Sequence, residues 1–144
     1  MAEEPVGPAT DSSAVTAPRP WRPNSILYPA FFGGPLAATV LGVWNAWRLS
    51  LPGRALALVL AAGAGAILVR FGLASLLTEQ QGTMLLVGGV TGVAVWVVIV
   101  TGQRGPFRAQ HPANEEPASL IRPGILVAVG CGLLEAGLLG LLVG

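Results

Sequence analysis

Arg70 and Glu135 are the two charged residues set deep inside long uncharged runs of this 144-residue chain. A charge within a membrane segment costs about 2.5–3.5 kcal/mol on insertion scales, so it normally faces protein or water. Three kinds of chemistry fit such a pair. It can form a buried ion pair or line a proton or ion pathway. Alternatively, Arg70 can reach the nearer headgroups while Glu135 takes up a proton or meets water. A pathway needs more polar lining than Thr39, Asn45, Ser75 and Thr91 supply. The ion pair is therefore the expectation.

The other reactive side chains do not assemble into a site. His111 stands alone in a Pro-rich stretch, and Cys131 is the only cysteine, so no internal disulfide can form. Gly63-Ala64-Gly65 lacks the later glycine of a dinucleotide fingerprint, and no phosphate-binding loop pattern occurs. No serine sits in a G-x-S-x-G elbow. Glu115-Glu116 precedes Pro117 in a polar stretch. No catalytic, cofactor-binding or metal-ligating residue is assigned, and a non-enzymatic protein is expected.

Membrane helices must position Arg70 and Glu135. Hydrophobic residues make up 53% of the chain and charged residues only 10%, against about 25% charged in soluble domains. Mean hydropathy is +0.68. Four apolar runs predict helical spans at 26–47, 55–77, 83–101 and 124–144. The expected fold is all-α: an integral membrane bundle of four transmembrane helices over 26–144, behind a disordered Pro-rich tail at 1–25. That tail lacks the apolar run of a cleavable signal peptide, so the first span is expected to act as an uncleaved anchor. The first span reaches about 33 Å, enough for a hydrocarbon core of about 30 Å. Trp21, Tyr28, Trp44 and Trp47 flank its ends, where amphipathic rings favour the headgroup level.

Spans two and four must run in the same direction. Counted from their shared entry side, Arg70 lies about 15 residues in and Glu135 about 11, an offset of roughly 6 Å that an arginine can bridge. Small residues supply the packing faces. Gly34, Ala38, Gly42 and Ala46 recur every four residues in the first span, Gly88 and Gly92 pair in the third, and Ala128, Gly132, Ala136, Gly140 and Gly144 recur in the fourth. Such stripes let helix backbones approach closely in lipid, inside a bundle or between copies. Pro35 cannot donate to the Phe31 carbonyl, so a kink is expected there.

The run Phe31-Phe32-Gly33-Gly34-Pro35-Leu36-Ala37, followed by Asn45 and Arg48-Leu49, resembles a pattern in small uncharacterised bacterial multi-span membrane proteins. Those proteins open with an aromatic-G-G-P-L-A helix followed by Asn and a basic loop. The match covers about 20 residues, and the remaining likeness is one of hydropathy plan. The chain departs from the pattern in its Ala37-Ala38 pair and its lysine-free loops. The resemblance implies architecture and no activity. The use of arginine without lysine, with abundant Ala, Gly, Pro and Val, also points to a bacterial genome.

Five arginines (Arg48, Arg54, Arg104, Arg108 and Arg122) fall in or beside loops 48–54 and 102–123, against Arg19 and Arg22 before the first span. With four crossings, this places both loops in the cytoplasm and both termini outside the cell membrane. A first segment that re-enters at Pro35 instead would put all seven on one side. The expected function is an accessory or interaction subunit, in contact with lipid and in a homo-oligomer or larger membrane complex. A small transporter or channel using Arg70 and Glu135 is the alternative. A net charge of +1, with no basic patch interleaved with aromatics, gives no support for a nucleic-acid partner.

Overall fold

In hydrocarbon every backbone N–H and C=O must find a partner within the protein, and an uncharged run meets that demand as a helix. The computed structural model describes residues 18–76, 81–111 and 116–143. It contains α1 (Leu27–Arg48), preceded by a 3-10 turn at Pro23–Ile26, then α2 (Gly53–Leu76), α3 (Gln81–Gln110) and α4 (Ile121–Val143). All four helices are long and apolar enough to cross a membrane. The chain is an all-α, multi-pass membrane protein. The helix α1 is the centre of the bundle and packs against each of the other three.

Its path is set at Gly34, whose φ of 73° and ψ of −168° break the helix. That conformation belongs almost entirely to glycine. With Pro35 unable to donate to Phe31, the helix resumes as a second arm, 35–48, after a first arm at 27–33. The arms lie side by side. The Trp21 N–H donates to Asn45 Oδ1 at 2.7 Å, although the two are 24 residues apart. A continuous helix would separate such residues by about 36 Å. Arg48 donates to the Arg19 carbonyl at 2.7 Å, and its guanidinium lies 4.0 Å from the Trp21 ring centroid.

α3 shows the same geometry along its length. Gly92 abuts the Ala30 carbonyl and Gly34 at one level. Trp96 Nε1 donates to the Pro23 carbonyl, and Gln103 Nε2 donates to that of Gly42. One arm therefore runs towards the Gly34 tip, and the other returns along the same stretch of α3. α2 lies beside the returning arm, with Val59 near Gly42, Gly63 near Thr39 and Arg70 near Gly34. α4 follows the first arm. Its start meets Tyr28, whose hydroxyl donates to the Leu120 carbonyl at 2.8 Å, and Glu135 lies at the tip.

These contacts correct several expectations. Arg19 and Arg22 share one end of the bundle with loop 48–54, as the re-entrant alternative requires. Residue 18 and Val143 lie at opposite ends of the bundle. Within 18–25, Pro20, Trp21 and Pro23 are buried against the bundle, Trp21 at 2% exposure, while residues 18, 19, 22 and 24 are exposed. The remainder of the expected tail, 1–17, lies outside the described residues, as do 77–80, 112–115 and 144. α3 also continues through Gly102, Gly105 and Pro106 to Gln110, where a loop was expected. Side-chain hydrogen bonds tie that extension down, with Gln103 bound to Gly42 and Gln110 Nε2 donating to the Leu49 carbonyl at 2.8 Å.

The small-residue faces divide. Gly34, Ala38, Gly42, Gly88 and Gly92 are buried. In α4, Gly132 is half-buried beside the Phe32 carbonyl, but Ala136 and Gly140 are exposed. A strict four-residue spacing drifts about 40° per step around a 3.6-residue turn. The α4 stripe therefore touches the bundle at Ala128 and Gly132 and then winds off the contact face, which follows Gly124, Ala128 and Glu135.

The fold predicts opposite outcomes for two glycine substitutions in a detergent melting assay. Gly34→Ala forces a Cβ into a left-handed backbone and against Arg70 and Glu135, and should cost about 1–3 kcal/mol or more. Gly72→Ala, with open space around it, should be neutral or stabilising by up to about 1 kcal/mol. Equal melting of the two variants would contradict the break.

Candidate functional site

The break at Gly34 exposes helix N–H groups in the middle of the bundle. In the arm 35–48, Pro35 occupies the first position and has no donor to lose, as suits a helix start. The Leu36 N–H has no carbonyl one turn back. Glu135 of α4 supplies the acceptor, with Leu36 N–H donating to Oε1 at 2.8 Å. The carboxylate thus sits at the positive end of a half-helix dipole.

Glu135 is 1% exposed and Arg70 8%. Arg70 of α2 meets the other carboxylate oxygen in an ion pair. Its guanidinium fits because Gly88 of α3 and Gly34 of α1 carry no side chain there; a Cβ on either would strike it. All four helices thus meet at one charged point. The structure brings together Arg70, Glu135, Gly34 and Gly88. Desolvating two charges costs several kcal/mol each, and only good geometry with further hydrogen bonds offsets it. The Leu36 N–H is such a bond.

A second polar layer holds the open end of the hairpin. Asn45 accepts from Trp21 N–H, and its Nδ2 donates to Gln103 Oε1 at 2.9 Å. Gln103 in turn donates to the Gly42 carbonyl at 2.7 Å. Trp21 and Trp44 stack edge to face at 5.3 Å, with Arg48 over Trp21. The sequence contained a signal for this layer: Asn45 and Gln103 are amides in otherwise apolar surroundings, and buried amides need partners.

Other candidates have local roles. Thr39 donates to the Pro35 carbonyl and Thr91 to that of Val87, each at 2.7 Å within its own helix. Ser75 donates to the Gly72 carbonyl at an exposed position. His111 stacks on Phe107 at 5.1 Å, beyond the apolar part of α3. Cys131 is half-buried one turn before Glu135. Among the described residues, no three His, Cys, Asp or Glu side chains converge as metal ligands. The arrangement can hold a buried charge pair and cap a half-helix.

A double-mutant cycle tests the charged point. Arg70→Leu or Glu135→Leu alone should destabilise the protein by about 3–5 kcal/mol, because each strands a buried charge. The double substitution should cost much less than the sum of the two. Additive losses would show that the pair is not coupled. Glu135→Gln should fall between, since its amide oxygen can still accept from Leu36.

Compared with protein-family models, curated proteins and solved structures, the chain finds no match.

Proposed function

We propose that this chain is a non-enzymatic membrane protein of the bacterial cell membrane, working as an interaction subunit that docks another transmembrane helix. The observation that carries this reading is the outer side of α4. Only 6% of its apolar span is buried. Ala136, Gly137 and Gly140 are small and exposed there, among Leu133, Leu138 and Leu141. Lipid is as apolar as leucine, so an outward small-residue face earns no benefit from the bilayer itself; it favours close approach by a second helix. The internal polar groups support the same reading. Arg70, Glu135, Asn45 and Gln103 each bind a partner within the chain. The docked helix belongs to a second copy or to a larger membrane protein.

A second reading, a small transporter, draws on a different observation. The half-helix 35–48 begins in mid-bundle with its amino end on a carboxylate beside an arginine. Discontinuous helices in transporters present such ends to ions and substrates.

One pair of measurements separates the readings. A photo-crosslinker at Gly140 in native membranes should form an adduct with a transmembrane helix under the interaction reading. Ala136→Leu should abolish that adduct while leaving the melting temperature of the purified protein unchanged, because Ala136 is exposed. Retention of the adduct in Ala136→Leu would reject the docking face. Proton flux in proteoliposomes that Glu135→Gln abolishes would establish the transporter reading instead.

A further inference from the structure

The folded α1 changes which residues share a membrane surface. The tip at Gly34 meets Arg70, which lies 17 residues beyond Gly53, or about 25 Å along α2. α2 continues past that level to Leu76, and α3 begins beyond it at Gln81. α1 thus enters the bundle from one end, stops short of the other and returns. The same end receives the start of α2, the close of α3 and the start of α4. It gathers Arg19, Arg22, Arg48, Arg54, Arg104, Arg108 and Arg122. These are seven of the eight arginines; the eighth, Arg70, is paired with Glu135. The sequence holds no arginine from 71 to 103 or from 123 to 144.

The aromatic anchors mark the same level. Trp21, Trp44 and Trp47 lie beside Arg48 at this end, and Trp47 is 67% exposed. Exposed indoles favour the headgroup region. The apolar tip contrasts with it: Phe31 and Phe32 are exposed at the far turn of the hairpin.

We infer that α1 is a re-entrant hairpin in a three-crossing protein whose arginine-rich end is cytoplasmic and binds the phosphates of anionic lipid headgroups. Arginine bias in short flanking segments sets orientation, and here it runs seven to none. Guanidinium groups match phosphate oxygens in geometry and charge, and the cytoplasmic leaflet carries anionic lipid. Among the described residues at this end, Glu116 is the acid that opposes the seven arginines. Glu115 and the acids at 3, 4 and 11 lie outside the described residues. The inference is independent of whether α4 docks a partner or Glu135 moves a proton.

Two measurements on the full chain test it. In a Cys131→Ser background, Pro18→Cys, Ser50→Cys and Leu142→Cys occupy exposed positions. A membrane-impermeant thiol reagent applied to intact spheroplasts should label position 142, and should reach 18 and 50 only after permeabilisation. Opposite accessibility of 18 and 50 would overturn the re-entrant hairpin. External labelling of both would overturn the orientation. For the lipid, the purified protein is placed in vesicles containing either brominated phosphatidylglycerol or brominated phosphatidylcholine, with bromines near the headgroup. Tryptophan quenching should be roughly twofold stronger with the anionic lipid, and the excess should fall with salt and in Arg54→Gln/Arg104→Gln/Arg108→Gln. Equal quenching by the two lipids, or an excess indifferent to both salt and the substitutions, would overturn the lipid assignment.

Discussion

A helix broken inside an apolar medium must have its freed backbone groups satisfied, and here one carboxylate takes up one of them. Glu135 accepts from the Leu36 N–H and thereby closes the break at Gly34. That solution creates the next requirement, because a buried carboxylate needs a counter-charge. Arg70 provides it. The guanidinium then needs room, which the bare backbones of Gly34 and Gly88 give it. Each step follows from the one before, and together they commit all four helices to one register.

The far end of the hairpin repeats the logic with neutral groups. Two arms of a hairpin in lipid gain little by contact alone, so hydrogen bonds and close packing hold them. Asn45 and Gln103 join the returning arm, α3 and the segment at Trp21 into one chain of bonds. Arg48, over Trp21 and bonded to Arg19, closes the mouth. The buried charged and amide side chains of the membrane region thus fall into two layers, one at the tip and one at the mouth. Between them lie Ala30, Ala38, Leu41 and Val95, all apolar and buried. The outer faces of α2 and α4 remain for lipid or a partner.

Much of this was legible in the sequence, for particular reasons. Charge-free runs mark the four helices because charges are excluded from hydrocarbon. Residue counting placed Arg70 and Glu135 at similar depths because two parallel spans share a rise per residue. The sequence leaves direction open, with re-entry at Pro35 standing only as the alternative to a crossing. Pro35 signals a break, but only Gly34, by adopting a positive φ, turns a kink into a reversal, and nothing in the residue type specifies that angle. The fate of Trp21 followed from the reversal, so 18–25 read as a tail. α3 outran its apolar segment because Gln103 and Gln110 find carbonyl partners on a helix whose position was unknown. The α4 stripe was read at a spacing of four, whereas its contact face obeys the helical repeat.

The reversal at Gly34 is the claim on which the rest depends, and a distance measures it. Spin labels at residues 22 and 47, both exposed, can be placed in a Cys131→Ser background and read by pulsed dipolar spectroscopy in lipid. With Asn45 bonded to Trp21, the two labels should lie within about 20 Å, allowing for their linkers. A continuous helix through Gly34 would set them about 38 Å apart. A distribution centred near that longer distance would contradict the hairpin, and with it the role given to Glu135.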